Sequence, residues 1–145
     1  MQKVLIVDDK EENRYVLKNF FRLFGLNSGI ELLEAASGKE AVEIAIRENP
    51  VLVLMDTKME TDHAGIDATK TLKNNYTTKL IKIWALTSQA MEAHDDEASD
   101  REKCLIAGCD DYISKPFNQI QLIKMISELL KIDIPQKIKI RMGIE

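Results

Sequence analysis

Five apolar residues, Val51-Leu52-Val53-Leu54-Met55, follow one another without polar alternation and end directly on Asp56. A strand with one wet face alternates apolar and polar side chains. A strand that does not alternate is covered on both faces, as in a parallel sheet sandwiched between helices. Shorter apolar runs recur at Val4–Val7, at Ile30–Ala36 (interrupted by Glu31 and Glu34), at Leu80–Leu86 and at residues 112–113. Helical periodicity fills the gaps between them. Val16, Leu17, Phe20, Phe21 and Phe24 make one apolar stripe that Gly25 terminates. Ser37 and Glu40 form a capping box that opens a second helix, with Ala41, Ile44 and Ala45 on its inner face. Residues 66–75, Ser99–Ala107 and Asn118–Lys131 supply three more, the last turning Leu122, Ile126, Leu129 and Leu130 inward. Strand and helix thus alternate five times. Short connections of this kind demand an α/β fold with a parallel sheet and helices on both faces.

A chain of 145 residues suits one domain. The spacing predicts that this domain ends at Lys131, with Pro135 stopping the last helix and residues 132–145 forming a tail of alternating charged and apolar residues. Net charge is −4, and Lys and Arg are scattered rather than clustered, so no nucleic-acid-binding surface is expected. No apolar run approaches the roughly 18–20 residues that cross a bilayer, so no membrane association is expected. Val4–Val7 is too short for a signal peptide. Cys104 and Cys109 lack metal-ligand or CxxC spacing and read as two reduced thiols. These features predict a cytoplasmic protein, a monomer or weak dimer.

In an open parallel sheet, ligands gather at the carboxyl ends of the strands, where strand order reverses. The first strand ends in Asp8-Asp9, the third in Asp56, the fourth in Thr87-Ser88, and the fifth leads into Lys115-Pro116. The second strand offers nothing comparable. Carboxylates crowded together repel unless a cation relieves them, and Mg²⁺ takes one or two carboxylates together with phosphate oxygens and water. Asp56 can then act as a nucleophile toward a phosphoryl group, with Lys115 and Thr87 on its other oxygens. Each residue also has an ordinary use. Asp8-Asp9 could cap the first helix, Asp56 could open a loop, Thr87 could be a plain strand-end hydroxyl, and Lys-Pro is a common turn. Their convergence on one edge favours the chemistry.

The strings Val4–Asp9, Leu52–Asp56, Ala85–Ser88 and Asp110–Phe117 strongly resemble bacterial response-regulator receiver domains, over about residues 3–131. The stretch from Asp100 to Pro116 is similar to receivers attached to hybrid histidine kinases. The resemblance implies a flavodoxin-like (βα)5 fold with strand order 2-1-3-4-5 and a Mg²⁺-dependent phosphoacceptor at Asp56. It further implies metal ligation by Asp9, by Asp8 largely through water and by the Lys58 backbone carbonyl, with a cis Lys115–Pro116 peptide. Thr87 and Tyr112 would be the switch pair, although Tyr112 could equally be a core aromatic. The expected partners are a histidine kinase or histidine phosphotransfer protein and a downstream protein target met by the face of the fourth helix, fifth strand and fifth helix. No separate enzymatic activity is expected beyond the chain's own phosphorylation and dephosphorylation.

Two features depart from the family pattern. Glu60 stands where receivers usually carry proline, in a longer loop through Gly65. Lys58, two residues after Asp56, and Gln89, two after Thr87, could guide or block the water that hydrolyses an acyl phosphate, or Lys58 could simply point to solvent. An acidic segment, residues 92–98 with Glu92, His94, Asp95, Asp96 and Glu97, precedes the fourth helix. It reads as a solvated insertion, a recognition loop or a weak metal site. Other function classes are a relay intermediate of a hybrid kinase, a receiver that is never phosphorylated, and an aspartyl-phosphate phosphatase. The last would need an Asp-x-Asp pair on the first strand, where this chain has adjacent aspartates.

Overall fold

The computed structural model describes residues 1–26, 29–61, 63–87 and 100–144, without the side chains of residues 100 and 101. Five parallel strands, β1 (Gln2–Val7), β2 (Ile30–Ala35), β3 (Leu52–Asp56), β4 (Lys82–Thr87) and β5 (Asp111–Ser114), lie in the order β2-β1-β3-β4-β5. Between and after them come α1 (Glu11–Leu23), α2 (Gly38–Glu48), α3 (Ala64–Lys73), α4 (Asp100–Ala107), α5 (Gln119–Leu130) and α6 (Gln136–Met142). This is the expected α/β architecture with helices on both faces. The strand order reverses between β1 and β3, which carry the three aspartates.

Alternate residues of the strands feed two separate cores, as the period of two requires. Val4, Ile6, Leu52, Leu54 and Trp84 pack with Leu17, Phe20 and Phe21 of α1 and Leu122, Ile123 and Ile126 of α5. Leu5, Val7, Val53, Met55 and Ile83 pack with Ala41 and Ala45 of α2, Leu72 of α3 and Cys104 of α4. Leu52 through Met55 are wholly buried, which is the origin of their unbroken apolar run. Both cysteines are buried and neither is in a disulfide. Ser37 Oγ accepts from the Glu40 N–H at 3.0 Å, and Asn118 caps α5 through the Gln121 N–H at 2.9 Å. No helix among the described residues is long and apolar enough to cross a membrane.

Three expectations change in detail. Residues after Lys131 do not trail away: Pro135 starts α6, and Ile134 and Ile138 join the α1–α5 core, with Pro135 seated against Gly25. Leu80 is 85% exposed and β4 begins only at Lys82, because the β3–β4 register starts at Leu52↔Lys82. Val16 is 54% exposed although it follows the apolar period of α1. It lines a cleft of about 300 Å³ together with Asp8, Asn13, Lys115 and Phe117.

Candidate functional site

The carboxylates of Asp8, Asp9 and Asp56 come together at the carboxyl edge of β1 and β3, each offering an oxygen within 4.8 Å of the others. Parallel pairing brings Asp8 beside Asp56, because Val7 lies opposite Met55 and the next residue of each strand is an aspartate. Asp8 is buried, Asp56 nearly so, and Asp9 is exposed. Lys115, delivered by the loop after β5, places its Nζ 3.1 Å from Asp8 Oδ2 and 3.9 Å from Asp56 Oδ1. Its peptide with Pro116 is cis, and its N–H donates to the Thr87 carbonyl at 2.6 Å. The Lys58 N–H lies 3.4 Å from Asp56 Oδ1.

Burial pushes the Asp56 carboxyl up to about 6. Lys115 opposes that rise, Asp8 and Asp9 reinforce it, and the Lys58 N–H again lowers it. One nearby ammonium therefore does not balance three carboxylates, and the cluster retains uncompensated negative charge. A hard divalent cation with oxygen ligands fits that donor set.

Asp8 does not cap α1. Its Oδ1 accepts from the Lys10 N–H at 2.9 Å and from Asn13 Nδ2 at 3.3 Å, which turns the chain between β1 and the helix. Lys10 occupies the N-cap position without a side-chain hydrogen bond to the helix. On the other flank, the Gly65 N–H donates to the Thr57 carbonyl at 3.1 Å. A Cβ at Gly65 would overlap the Asp56 carbonyl oxygen, so only glycine lets α3 start this close to β3.

Thr87 is buried at the end of β4. Tyr112 sits opposite Ala85 and packs partly buried into the α2–α3–α4 core, so it lies on the same sheet face as Thr87. The structure thus brings Asp8, Asp9, Asp56 and Lys115 together directly and sets Thr87 at the neighbouring strand end. Ser88, Gln89 and the acidic segment 92–98 lie outside the described residues.

Sequence reasoning missed two groups. Glu60, the residue in place of proline, accepts from the Gly38 N–H at 2.9 Å and the Lys39 N–H at 3.4 Å, tying the loop after β3 to the start of α2. Burial alone would raise its carboxyl, but those N–H donors and its own backbone N–H hold it below the ordinary range. The second strand also participates. Glu34 on β2 binds Arg14 at 3.0 Å, and Arg14 Nη1 donates to the Asp8 carbonyl at 2.8 Å. The available signal was the charged Glu34 interrupting an otherwise apolar run.

Comparison with known proteins agrees with this geometry. A family model for the response regulator receiver domain matches residues 4–127. The chain is 32% identical over 129 residues to the polar-differentiation response regulator DivK of Brucella ovis, covering 89% of this chain and 96% of that protein. The receiver domain of a sensor histidine kinase from Pseudomonas aeruginosa, crystallised with magnesium in its active-site cleft, is 29% identical with a TM-score of 0.74. That match covers 90% of this chain and 98% of that one. Vibrio cholerae chemotaxis protein CheY4 is 25% identical with a TM-score of 0.70, covering 89% and 98%. With the parallel sheet, the aspartate cluster and the lysine placed as described, the chain belongs to the response-regulator receiver domains of two-component signalling.

Proposed function

We propose that this receiver is a phosphorylation-activated switch in which Asp56 is the phosphoacceptor and Mg²⁺ the cofactor. The observation that carries it is the cluster of three carboxylates within 4.8 Å, with the Lys115 ammonium 3.9 Å from Asp56. The donor is a phosphohistidine on a histidine kinase or histidine phosphotransfer protein. An Asp56 Oδ forms the new bond to phosphorus while the donor's N–P bond breaks, its electron pair passing to the imidazole. Asp8, Asp9, Asp56 and the Lys58 carbonyl would hold the metal. When bound, Mg²⁺ supplies charge neutralisation at the phosphoryl oxygens. Lys115 stabilises a second oxygen through a charge-assisted hydrogen bond, and the Thr87 hydroxyl serves a third.

A phosphoryl group exchanges one carboxylate for about two negative charges and three acceptor oxygens. A Thr87 bond to it, worth roughly 1.5–3 kcal/mol, shifts a two-state equilibrium about 10–100-fold. Tyr112, on the same sheet face, responds to that shift, and a downstream protein reads it on the α4-β5-α5 surface in the cytoplasm. The chain catalyses only its own phosphorylation and dephosphorylation. Intact mass after incubation with Mg²⁺ and acetyl phosphate tests this. One added phosphoryl group is expected, absent in Asp56→Asn, and a wild type that never gains mass refutes the reading.

A further inference from the structure

Asp9 is the exposed member of the aspartate cluster, and among the described residues no side chain or N–H group holds its carboxylate. Where that side chain starts from is therefore set by the backbone that carries it. A peptide unit is planar, so fixing the Asp8 carbonyl fixes the plane from which Asp9 departs. Arg14 is what grips that carbonyl, at 2.8 Å from Nη1. The same guanidinium uses Nε on Glu34 Oε1 at 3.0 Å, while Glu34 Oε2 takes Lys18 Nζ at 3.0 Å. Arg14 is 15% exposed along its side chain, so this grip is shielded rather than frayed. A planar fork serves two differently placed acceptors at once, which a lysine ammonium on a flexible stem does not.

We propose that Arg14, braced by Glu34 on β2, is a positioning residue for divalent-metal binding: it locks the Asp8–Asp9 peptide so that the Asp9 carboxylate stays beside Asp56. The inference rests on the metal-binding reading above and adds β2 to the site. Its consequence runs against simple electrostatics. Removing a cation beside an acidic cluster tightens Mg²⁺ binding if the cation is a bystander, and loosens it if the cation holds the ligands in place.

The experiment is calorimetric titration of the full chain with Mg²⁺ alone at fixed ionic strength, with urea unfolding in metal-free buffer verifying that each variant folds. Arg14→Ala is expected to weaken Mg²⁺ binding roughly tenfold, the low end of losses for groups that orient metal ligands. Arg14→Lys is expected to fall short of wild type as well, and it carries the test if the alanine variant does not fold. Lys18→Ala removes an equal charge from the same Glu34 without touching Asp8, and its affinity should match wild type or exceed it. Glu34→Ala should weaken binding, and combining it with Arg14→Ala should add little, because both act through one contact. Equal or tighter Mg²⁺ binding in a folded Arg14 variant overturns the proposal, as do fully additive losses in the double variant. A wild type that binds no Mg²⁺ refutes the metal-binding reading itself, which is a separate result.

Discussion

Lys115 Nζ stands 3.1 Å from Asp8 Oδ2, an ion pair between residues 107 positions apart that joins the loop after β5 to the end of β1. The Asp8 side chain is 2% exposed and that of Lys115 23%. Removing the lysine leaves a buried carboxylate with two remaining donors, the Lys10 N–H and Asn13. Lys115→Ala should therefore cost about 1–3 kcal/mol in metal-free buffer, below the figure for a wholly buried pair because Lys115 is partly wet. Urea unfolding measures it, and an unchanged midpoint would mean that the pair contributes nothing.

Asp56 should make the metal-free protein sensitive to pH. Its carboxyl is raised from 3.8 to about 6, so between these values the folded protein keeps a proton that the unfolded chain has released. Stability consequently falls as pH rises through that window, and the penalty, about 3 kcal/mol, is fully present above it. Asp56→Asn should thus raise the thermal midpoint at pH 8 and do so much less at pH 4. Thermal unfolding in chelator at both values tests this, and an equal gain at the two would contradict it.

Glu60 should act as a cap supplied by a distant loop. Two N–H groups at the start of α2 use its carboxylate in addition to the Ser37 hydroxyl. Glu60→Ala should cost about 0.5–1 kcal/mol, and Glu60→Gln less, since the amide oxygen still accepts. Amide exchange at Gly38 and Lys39 gives a local readout. Protection unaltered by the alanine change would dismiss the cap.

The last helix should be part of the domain's stability. Ile138 is 8% exposed within the α1–α5 core. Ile138→Ala is expected to cost roughly 2 kcal/mol, the lower end for a buried isoleucine because α6 is short and peripheral. Ile140→Ala, at a position 72% exposed, should cost little. Comparable effects from the two would show that α6 is not anchored as described.

How far the sequence could be read follows from the range of the interactions involved. β3 was legible because burial on both faces leaves an unbroken apolar run, and Asp56 marked its end. The reversal of strand order between β1 and β3 is not written in any local period and entered through family resemblance. Val16 misled because periodicity reports a helix face but not whether a neighbour covers it. In α6 the alternating residues of Lys137–Arg141 mimic a strand, and seven residues are too few for a helical stripe to declare itself. Arg14–Glu34 and Glu60–Gly38 span 20 and 22 positions, so only the folded chain brings these partners together.

The glycine contacts give the site a mechanical asymmetry. Gly38 lets α2 begin almost against the backbone of α3, since a Cβ there would come within 2.8 Å of the Ala64 carbonyl oxygen, and Gly65 brings α3 equally close to β3. Glu60 adds two further ties across the same seam. On this flank the close approaches are made by backbone, of α3 to α2 and of β3 to α3. On the opposite flank Lys115 is a long, partly exposed side chain reaching in from a loop. A group added at Asp56 therefore meets backbone on one side and a partly exposed side chain on the other.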